Sequence, residues 1–519
     1  MGTESNTQAA QMPPINGREM LRFFSPRWFI AIMATGAVAN VLQLISGSAA
    51  GALHGAAVAL LTLAIWAFPI AFVLLASRLF IDRQMLVREL EHSSLVQFYS
   101  GLFIAAAICT TGLVKIPQTL LAADTTLALA KGFWGLSLVF GLTLAIFTPW
   151  RIITLNHGEI RRILGFWFLP PVGLFVLVFA GNFLALKTSD AAWIDNMALL
   201  NAVLLGAAIA QSVMIFTMFL LRSLALPFPP TMDVIPSFTI GLAPVGVSII
   251  ALLSYLPLME KATTMAFVPV AAIAPLVKLL AMLLWGFGLW WMIVSLLITL
   301  TVFSRKAIPV TLGYWAFIFP PAAYTIATLT LGQVSQIGLI QNTGLVLGTL
   351  VSLGWLIVAL LTLRGIFNRS IFKLPPSFAE ILQDTPGTAA LDKDLTKSNF
   401  QGKFPIFSVD MPKNASYGEL GSLAAALKAK ITSHPVARHV ADFDHHGHTK
   451  NLGGEMPAGL RNAMNIVFCF GPKIEEARVI AVRPRSFGIA EFDNHFTISF
   501  MEAPSDKATD TMKEWVKSL

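Results

Sequence analysis

The densest group of side chains able to do chemistry lies near the end of the chain. The stretch "HPVARHVADFDHHGHTK" carries His434, His439, Asp442, Asp444, His445, His446 and His448. Imidazole and carboxylate at such close spacing are the donors that Zn²⁺ and similar ions take, so His439, His445, His446 and His448 are the candidate metal ligands. The same composition also describes a polar surface loop. No paired-cysteine knuckle or His-Glu-x-x-His helix accompanies it, and no metal or other cofactor is assigned. The glycines of "NLGGEMPAG" and "FGPKIEEAR" lack phosphate-loop spacing. Cys109 and Cys469 are the only cysteines and form no disulfide framework.

The rest of the chain must be read on the ruler of a bilayer. Between Trp28 and Leu363 apolar runs follow one another almost without interruption, each about 18–25 residues long, enough to cross ~30 Å of hydrocarbon at ~1.5 Å per helical residue. They predict ten spans, near 27–46, 55–78, 95–115, 132–150, 164–186, 197–222, 237–257, 278–303, 310–330 and 343–363. The stretch 266–303 is too long for one span, so Val268–Val277 is read as a re-entrant or interfacial piece. Composition agrees: 55% of residues are hydrophobic and 12% charged, with a mean hydropathy of +0.71, against roughly 25% charged in an average soluble chain.

Orientation follows from the basic residues, because short Lys/Arg-rich loops stay cytoplasmic. Arg18, Arg22 and Arg27 precede the first span; Arg78, Arg83 and Arg88 follow the second; Arg151, Arg161 and Arg162 follow the fourth; Arg222, Arg305, Lys306, Arg364 and Arg369 mark later even-numbered ends. The alternate loops hold few: Lys115, Lys131, Lys187, Lys261 and Lys278. Both termini are therefore placed in the cytoplasm and the protein in the cell membrane, expected to be a cell inner membrane. The net charge of +8 is explained by these loops. Nothing in the chain interleaves basic and aromatic residues as nucleic-acid binding would require.

Four regions result: a cytoplasmic N-terminal tail (1–22), an all-α transmembrane domain (23–365), a polar proline-containing linker (366–415) and a small α+β cytoplasmic domain (416–519). In the last, Gly418–Thr432 and Ser505–Leu519 read as helices. Met464–Phe470, Ala477–Val482 and His495–Met501 read as strands, the third alternating Phe496, Ile498 and Phe500 on one face.

Within the spans the informative feature is negative. No Asp, Glu, Arg or His stands in the middle of any predicted span; such groups are costly in a membrane and persist for function. A bis-histidine haem, a metal relay or carboxylate proton coupling is thereby disfavoured. Proline supplies the positive feature. Pro170 and Pro171 lie in the fifth span, Pro244 in the seventh, and Pro320 with Pro321 in the ninth, whereas among even spans only Pro69 is well inside. Proline removes an amide donor and kinks a helix, and the freed backbone is tolerable at membrane depth only against protein or a water-filled cavity. Odd spans sharing this defect could line one aqueous path, though proline is also simply common in such helices.

Five segments then bring a family into view: "FFSPRWFIAIMATGAVAN" (Phe23–Asn40), "HSSLVQFYSGLFIAAA" (His92–Ala107), "FWFLPPVGLFVLVFAGNFLA" (Phe166–Ala185), "PSFTIGLAPVGVSIIAL" (Pro236–Leu252) and "IPVTLGYWAFIFPPAAYTIAT" (Ile308–Thr328). In order and spacing they resemble the odd-numbered helices of the tellurite-resistance/dicarboxylate transporter family, which includes yeast malate and sulfite exporters and the plant slow anion channel. The resemblance covers roughly residues 20–365 and leaves the tail aside. It implies ten helices as five hairpins around a central pore, a homotrimer with one pore per subunit, and passage of small inorganic or organic anions. It also implies a phenylalanine that blocks the pore midway. By alignment to "WAFIFPP" that role falls on Phe319, with Phe317 as the second choice; the alternative is an aromatic packed between helices. Ala34 in "MATG", and Val245 and Val247 in "APVGV", depart from the fungal pattern and leave malate or sulfite specificity unassigned, while Pro244 and Gly246 are kept. Asn40, Gln97 and Asn182 are candidate polar lining or, equally, interhelical hydrogen-bonders.

Three functions are therefore carried forward. The first is an anion channel or facilitative exporter with a Phe-gated pore, drawing anions by basic mouths and helix-end partial charges. The second is a proton-coupled C4-dicarboxylate or sulfite transporter. The third is a membrane-anchored sensor or enzyme acting through residues 370–519. An enzyme is not the expectation, and the partners are anions and membrane lipids.

Overall fold

The computed structural model describes residues 17–47, 51–116, 121–155, 160, 163–226, 232–304, 311–372, 395–401, 403–413, 417–457, 459–471 and 477–519. Arg161, Arg162, Arg305 and Lys306, which contribute to the predicted loop charges, lie outside them, as does 373–394 of the predicted linker. The chain divides into two compact units, residues 1–382 and 383–519.

In the first unit, short α1 (Gly17–Arg22) precedes α2 (Trp28–Ser46), α3 (Ala52–Ile81), short α4 (Arg83–Glu91), α5 (Ser100–Lys115), α6 (Ala123–Leu155), α7 (Leu169–Ala185), α8 (Ala191–Ala225), α9 (Leu242–Lys261), α10 (Val270–Phe303), α11 (Phe319–Ser335) and α12 (Gly338–Phe367). Among the described residues nine helices are long and apolar enough to cross a membrane. α11 has 17 residues and continues a 3₁₀ segment, Leu312–Phe317, after a break at Ile318.

Two kinds of helix alternate. The window around α5 is 100% buried and that of α10 only 6%, with α2, α7 and α9 resembling the former and α3, α6, α8 and α12 the latter. The exposed helices present Trp66, Phe80, Ile146, Leu224 and Leu339 outward. So much apolar surface is stable only against lipid, and the protein is a multi-pass membrane protein. The buried helices touch in a closed sequence, α2 to α5 to α7 to α9 to α11 and back to α2, and each also packs on the exposed helix that follows it: α3, α6, α8, α10 or α12.

Two expectations need correction here. The apolar piece Val268–Val277 is not re-entrant, since from Val270 it forms the beginning of α10, a single 34-residue helix. Pro275 sits in its second turn, near enough to the N-terminus to cost few backbone bonds. Interior proline does not mark odd spans either. Pro149 and Pro275 lie inside the outer helices α6 and α10, as Pro69 does in α3, because these helices run well beyond the predicted spans.

The second unit is an antiparallel six-stranded sheet of order β1-β2-β6-β5-β4-β3, with β1 Thr396–Phe400, β2 Phe404–Pro412, β3 Ala437–Asp444, β4 Asn462–Phe470, β5 Arg485–Glu491 and β6 His495–Met501. Helices α13 (Leu420–Ser433) and α15 (Asp506–Lys517) share its core through Leu423, Leu427, Ile431, Met512, Trp515 and Val516. Short α14 (His445–Asn451) follows β3. Phe496, Ile498 and Phe500 are buried on one face as their alternation predicts. The predicted strand Ala477–Val482 is instead a 3₁₀ helix. Its apolar part, Val479–Val482, is too short to show a diagnostic period, and the strand lies just beyond it, where Phe487 and Ile489 alternate. Part of the stretch read as linker forms β1, which pairs with β2, and β2, which pairs with β6.

Because the two units have separate apolar cores, a chain ending at Arg369 is expected to insert into membranes and elute from detergent extracts as a single species on size exclusion. Loss of insertion would make residues 370–519 part of the membrane scaffold.

Candidate functional site

The buried helices begin in a common way. A 3₁₀ segment leads into each of four: Val96–Tyr99 into α5, Gly165–Phe168 into α7, Met232–Gly241 into α9 and Leu312–Phe317 into α11. α2 is led by i+3 turns, with Trp28 N donating to Ser25 O and Phe29 N to Pro26 O, both at 3.1 Å. Pro170 with Pro171, and Pro320 with Pro321, fall in the first turns of α7 and α11, and Pro244 in that of α9. First-turn amides have no intrahelical acceptor, so proline costs no bond there. Each of these prolines thus stands in the first turn of its α-helix, directly after the 3₁₀ leader.

Phe319, the first residue of α11, has its ring enclosed at 1% exposure. Phe317 is half-buried and meets Tyr314 edge-on, centroids 5.7 Å apart. Gly246 brings two inner backbones together: a Cβ there would lie 2.7 Å from the Tyr324 amide nitrogen and 2.8 Å from the Ala323 carbonyl carbon. Main chain cannot swing aside as a side chain can. Gly246→Ala is therefore expected to push α9 from α11 at a cost of about 1–3 kcal/mol, read as a lower unfolding temperature in detergent.

The amide candidates are committed to protein partners. Asn182 donates to Ser254 Oγ at 3.0 Å and accepts from Asn201 at 2.8 Å, joining α7, α9 and α8. Asn40 donates to Gly36 O one turn back. Gln97 donates to Ser93 O, and its buried Oε1 has no partner.

The electrostatics of the N-terminal ends differ from a set of bare basic loops. Arg78 is wholly buried and grips Glu89 with both terminal nitrogens at 2.8 Å, while Nη1 also donates to Phe24 O at 3.0 Å. Tyr99 donates to Glu89 Oε2 at 2.7 Å. Arg22 pairs with Asp82 at 2.6 Å and Arg151 with Glu91 at 2.7 Å. Three arginines expected to attract anions are thus offset by carboxylates. Glu89 and Tyr99 escape the sequence reading, and the signal is that Asp82, Glu89 and Glu91 stand among the arginines of that loop.

The histidine-rich stretch is spread out in the second unit, and among the described residues no three His, Cys, Asp or Glu side chains are gathered to hold a metal. His439 Nε2 meets Asp442 at 2.7 Å, and Lys428 Nζ takes the other oxygen at 2.7 Å. Burial pushes the Asp442 carboxyl up, but these two hydrogen bonds and their charges prevail and hold it below the ordinary carboxylate range. His445 and His448 pack on the Phe443 ring, and His446 lies in α14 with them.

A closed circle of buried, almost charge-free helices inside a lipid-facing layer defines a membrane transport protein. Residues 23–363 match the model of the voltage-dependent anion channel family, SLAC1, and the chain belongs to that family of membrane anion channels and transporters. It is 24% identical over 359 residues to the uncharacterised transporter MJ0576 of Methanocaldococcus jannaschii, spanning 68% of this chain and 97% of that one. It is 25% identical over 365 residues to the sulfite efflux pump SSU1 of Arthroderma otae, spanning 67% and 92%. Residues 395–519 match a family of unknown function, DUF6858.

Proposed function

We propose that the chain passes small anions passively along the axis of the circle formed by α2, α5, α7, α9 and α11, and that the Phe319 ring closes this path. In this reading α11 with its 3₁₀ leader completes a ten-span, five-hairpin bundle, both termini are cytoplasmic, and three subunits assemble in the cell membrane, each with its own pore. The observation that carries it is the closure of the inner circle together with the full enclosure of Phe319 at the start of α11. A passive path is favoured over a proton-coupled one because α2, α5, α7, α9 and α11 hold no Asp, Glu or His apart from Glu260 in the last turn of α9. Glu89, the buried carboxylate nearby, is locked in its bidentate pair. The likeness to a sulfite efflux pump favours sulfite among the anions for a second reading, a coupled exporter.

The two readings separate in purified protein reconstituted in planar bilayers. Reversal potentials are expected to follow the anion gradient and to stay unchanged when a pH gradient is imposed. Flux of one anion driven strictly by the proton gradient would replace the channel with the carrier.

A further inference from the structure

At the end of the circle opposite the leaders, the inner helices present their carbonyl ends, and the partial negative charge gathered there opposes an anion. One cation is placed to offset it. Lys115 closes α5, and the only other basic residue in α2, α5, α7, α9 and α11 is Lys261, exposed beside Glu260. We propose that the Lys115 ammonium is a pore-lining charge that binds the passing anion at this mouth and sets the preference for anions over cations. This role rests on the reading of the inner circle as an anion path and adds to it a charge-selecting residue.

The place of the ammonium is fixed by α7. Lys115 Nζ lies 4.1 Å from the centroid of the Phe183 ring. The outward side of α7 is marked by Gly181, where a Cβ would meet Trp134 of α6 and Asn201 of α8. Phe183 stands two residues, or about 200°, further round the helix. Its ring therefore faces the axis, with Phe179 one turn deeper at 6.3 Å between centroids. The geometry of α5 agrees. Ile104, Ile108, Thr111 and Lys115 share one side of it, where Ile104 packs on Gly173 of α7 and Ile108 on Gly36 of α2, the two neighbours in the circle. Thr110 donates the other way, to Ala130 O of α6 at 3.3 Å. The Phe183 ring attracts the ammonium through its π face but offers no lone pair, so N–H donors remain for an anion.

Charge favours the same ligand. The Lys115 side chain is half-buried and, among the described residues, has neither a carboxylate nor a hydrogen-bond acceptor. The stretches at this end that lie outside the described residues, 48–50 and 117–120, contain no charged residue. The carboxylates of this end are committed or turned away: Asp190 accepts from Trp193 N at 3.2 Å, Asp195 from Thr264 N at 3.2 Å, and Asp124 and Glu260 are exposed. A partly desolvated charge acts at several times its strength in water. A compact ammonium has no planar fork to match one ligand shape, so it selects the sign of a small ion and admits halides and compact oxyanions alike.

The test uses the full chain. Under a tenfold KCl gradient in planar bilayers, Lys115→Met, Lys115→Gln and Lys115→Arg are each compared with Lys115 in the Phe319→Ala background. Lys115→Met and Lys115→Gln should lower the permeability of chloride relative to potassium roughly tenfold, the low end of what a focused charge does to local ion concentration. Lys115→Arg should keep it. An unchanged ratio in Lys115→Met, or in Lys115→Gln where Lys115→Met does not fold, would overturn the role. A lower unfolding temperature with that unchanged ratio would return Lys115 to holding α5 on α7. A protein that never conducts is decided by thermal unfolding in nitrate and in gluconate at equal ionic strength. There, stabilisation by nitrate that is lost in Lys115→Met and kept in Lys115→Arg would retain the anion site and remove the path. No nitrate effect, or one indifferent to Lys115→Met, would remove both.

Discussion

Phe319→Ala should raise anion conductance by roughly tenfold or more, the factor expected when about 1.4 kcal/mol is taken from a barrier. The ring stands at the first residue of α11, wholly enclosed, where the inner circle is read as the path. Truncation to a methyl opens cross-section without adding charge. A second effect runs alongside, because truncating a buried phenylalanine costs ~3–5 kcal/mol in soluble cores. Conductance and unfolding temperature must therefore be read on the same variant. A large fall in stability with no change in conductance returns Phe319 to helix packing. Phe317→Ala is the companion, since its ring is half-buried and rests on Tyr314; it should alter both quantities less.

The second large effect concerns the buried Arg78–Glu89 pair. Glu89→Leu strands a wholly buried guanidinium that has lost two 2.8 Å bonds to carboxylate. Removing one partner of such a pair costs roughly 3–5 kcal/mol, whereas replacing both with apolar residues is often neutral. Glu89→Leu should therefore lower the detergent unfolding temperature strongly, and Arg78→Met with Glu89→Leu should recover most of it. Because Arg78 also holds Phe24 O before α2, and Glu89 holds Tyr99 before α5, the single variant should also disturb conduction. A double variant no more stable than Glu89→Leu alone would show that the cost lies elsewhere, in the packing of α4.

The membrane bundle was legible because its physics is one-dimensional: an apolar run long enough for a bilayer is visible in sequence whatever its neighbours are. Its alternation of inner and outer helices was not visible that way. Every helix is apolar, so Leu102 on α5 and Leu296 on α10 look alike until burial separates them. The prolines singled out in the sequence lie in α7, α9 and α11, three of the five inner helices, and they stand at helix starts, while Pro149 and Pro275 lie inside the outer helices α6 and α10. Phe319 was reached through family likeness; nothing in its local sequence distinguishes a plug from packing. In the second unit β6 was plain from its alternation, whereas β1, with every residue exposed, had no pattern to read.

The most direct test is the reversal potential of the Phe319→Ala protein in planar bilayers under a tenfold KCl gradient, followed by replacement of chloride with nitrate, sulfite and malate. An anion path occluded by that ring predicts a reversal potential near the chloride equilibrium value, with current kept in nitrate and sulfite and greatly reduced in malate. A reversal potential near that of potassium, or no current with any anion in a protein that remains folded, would contradict it.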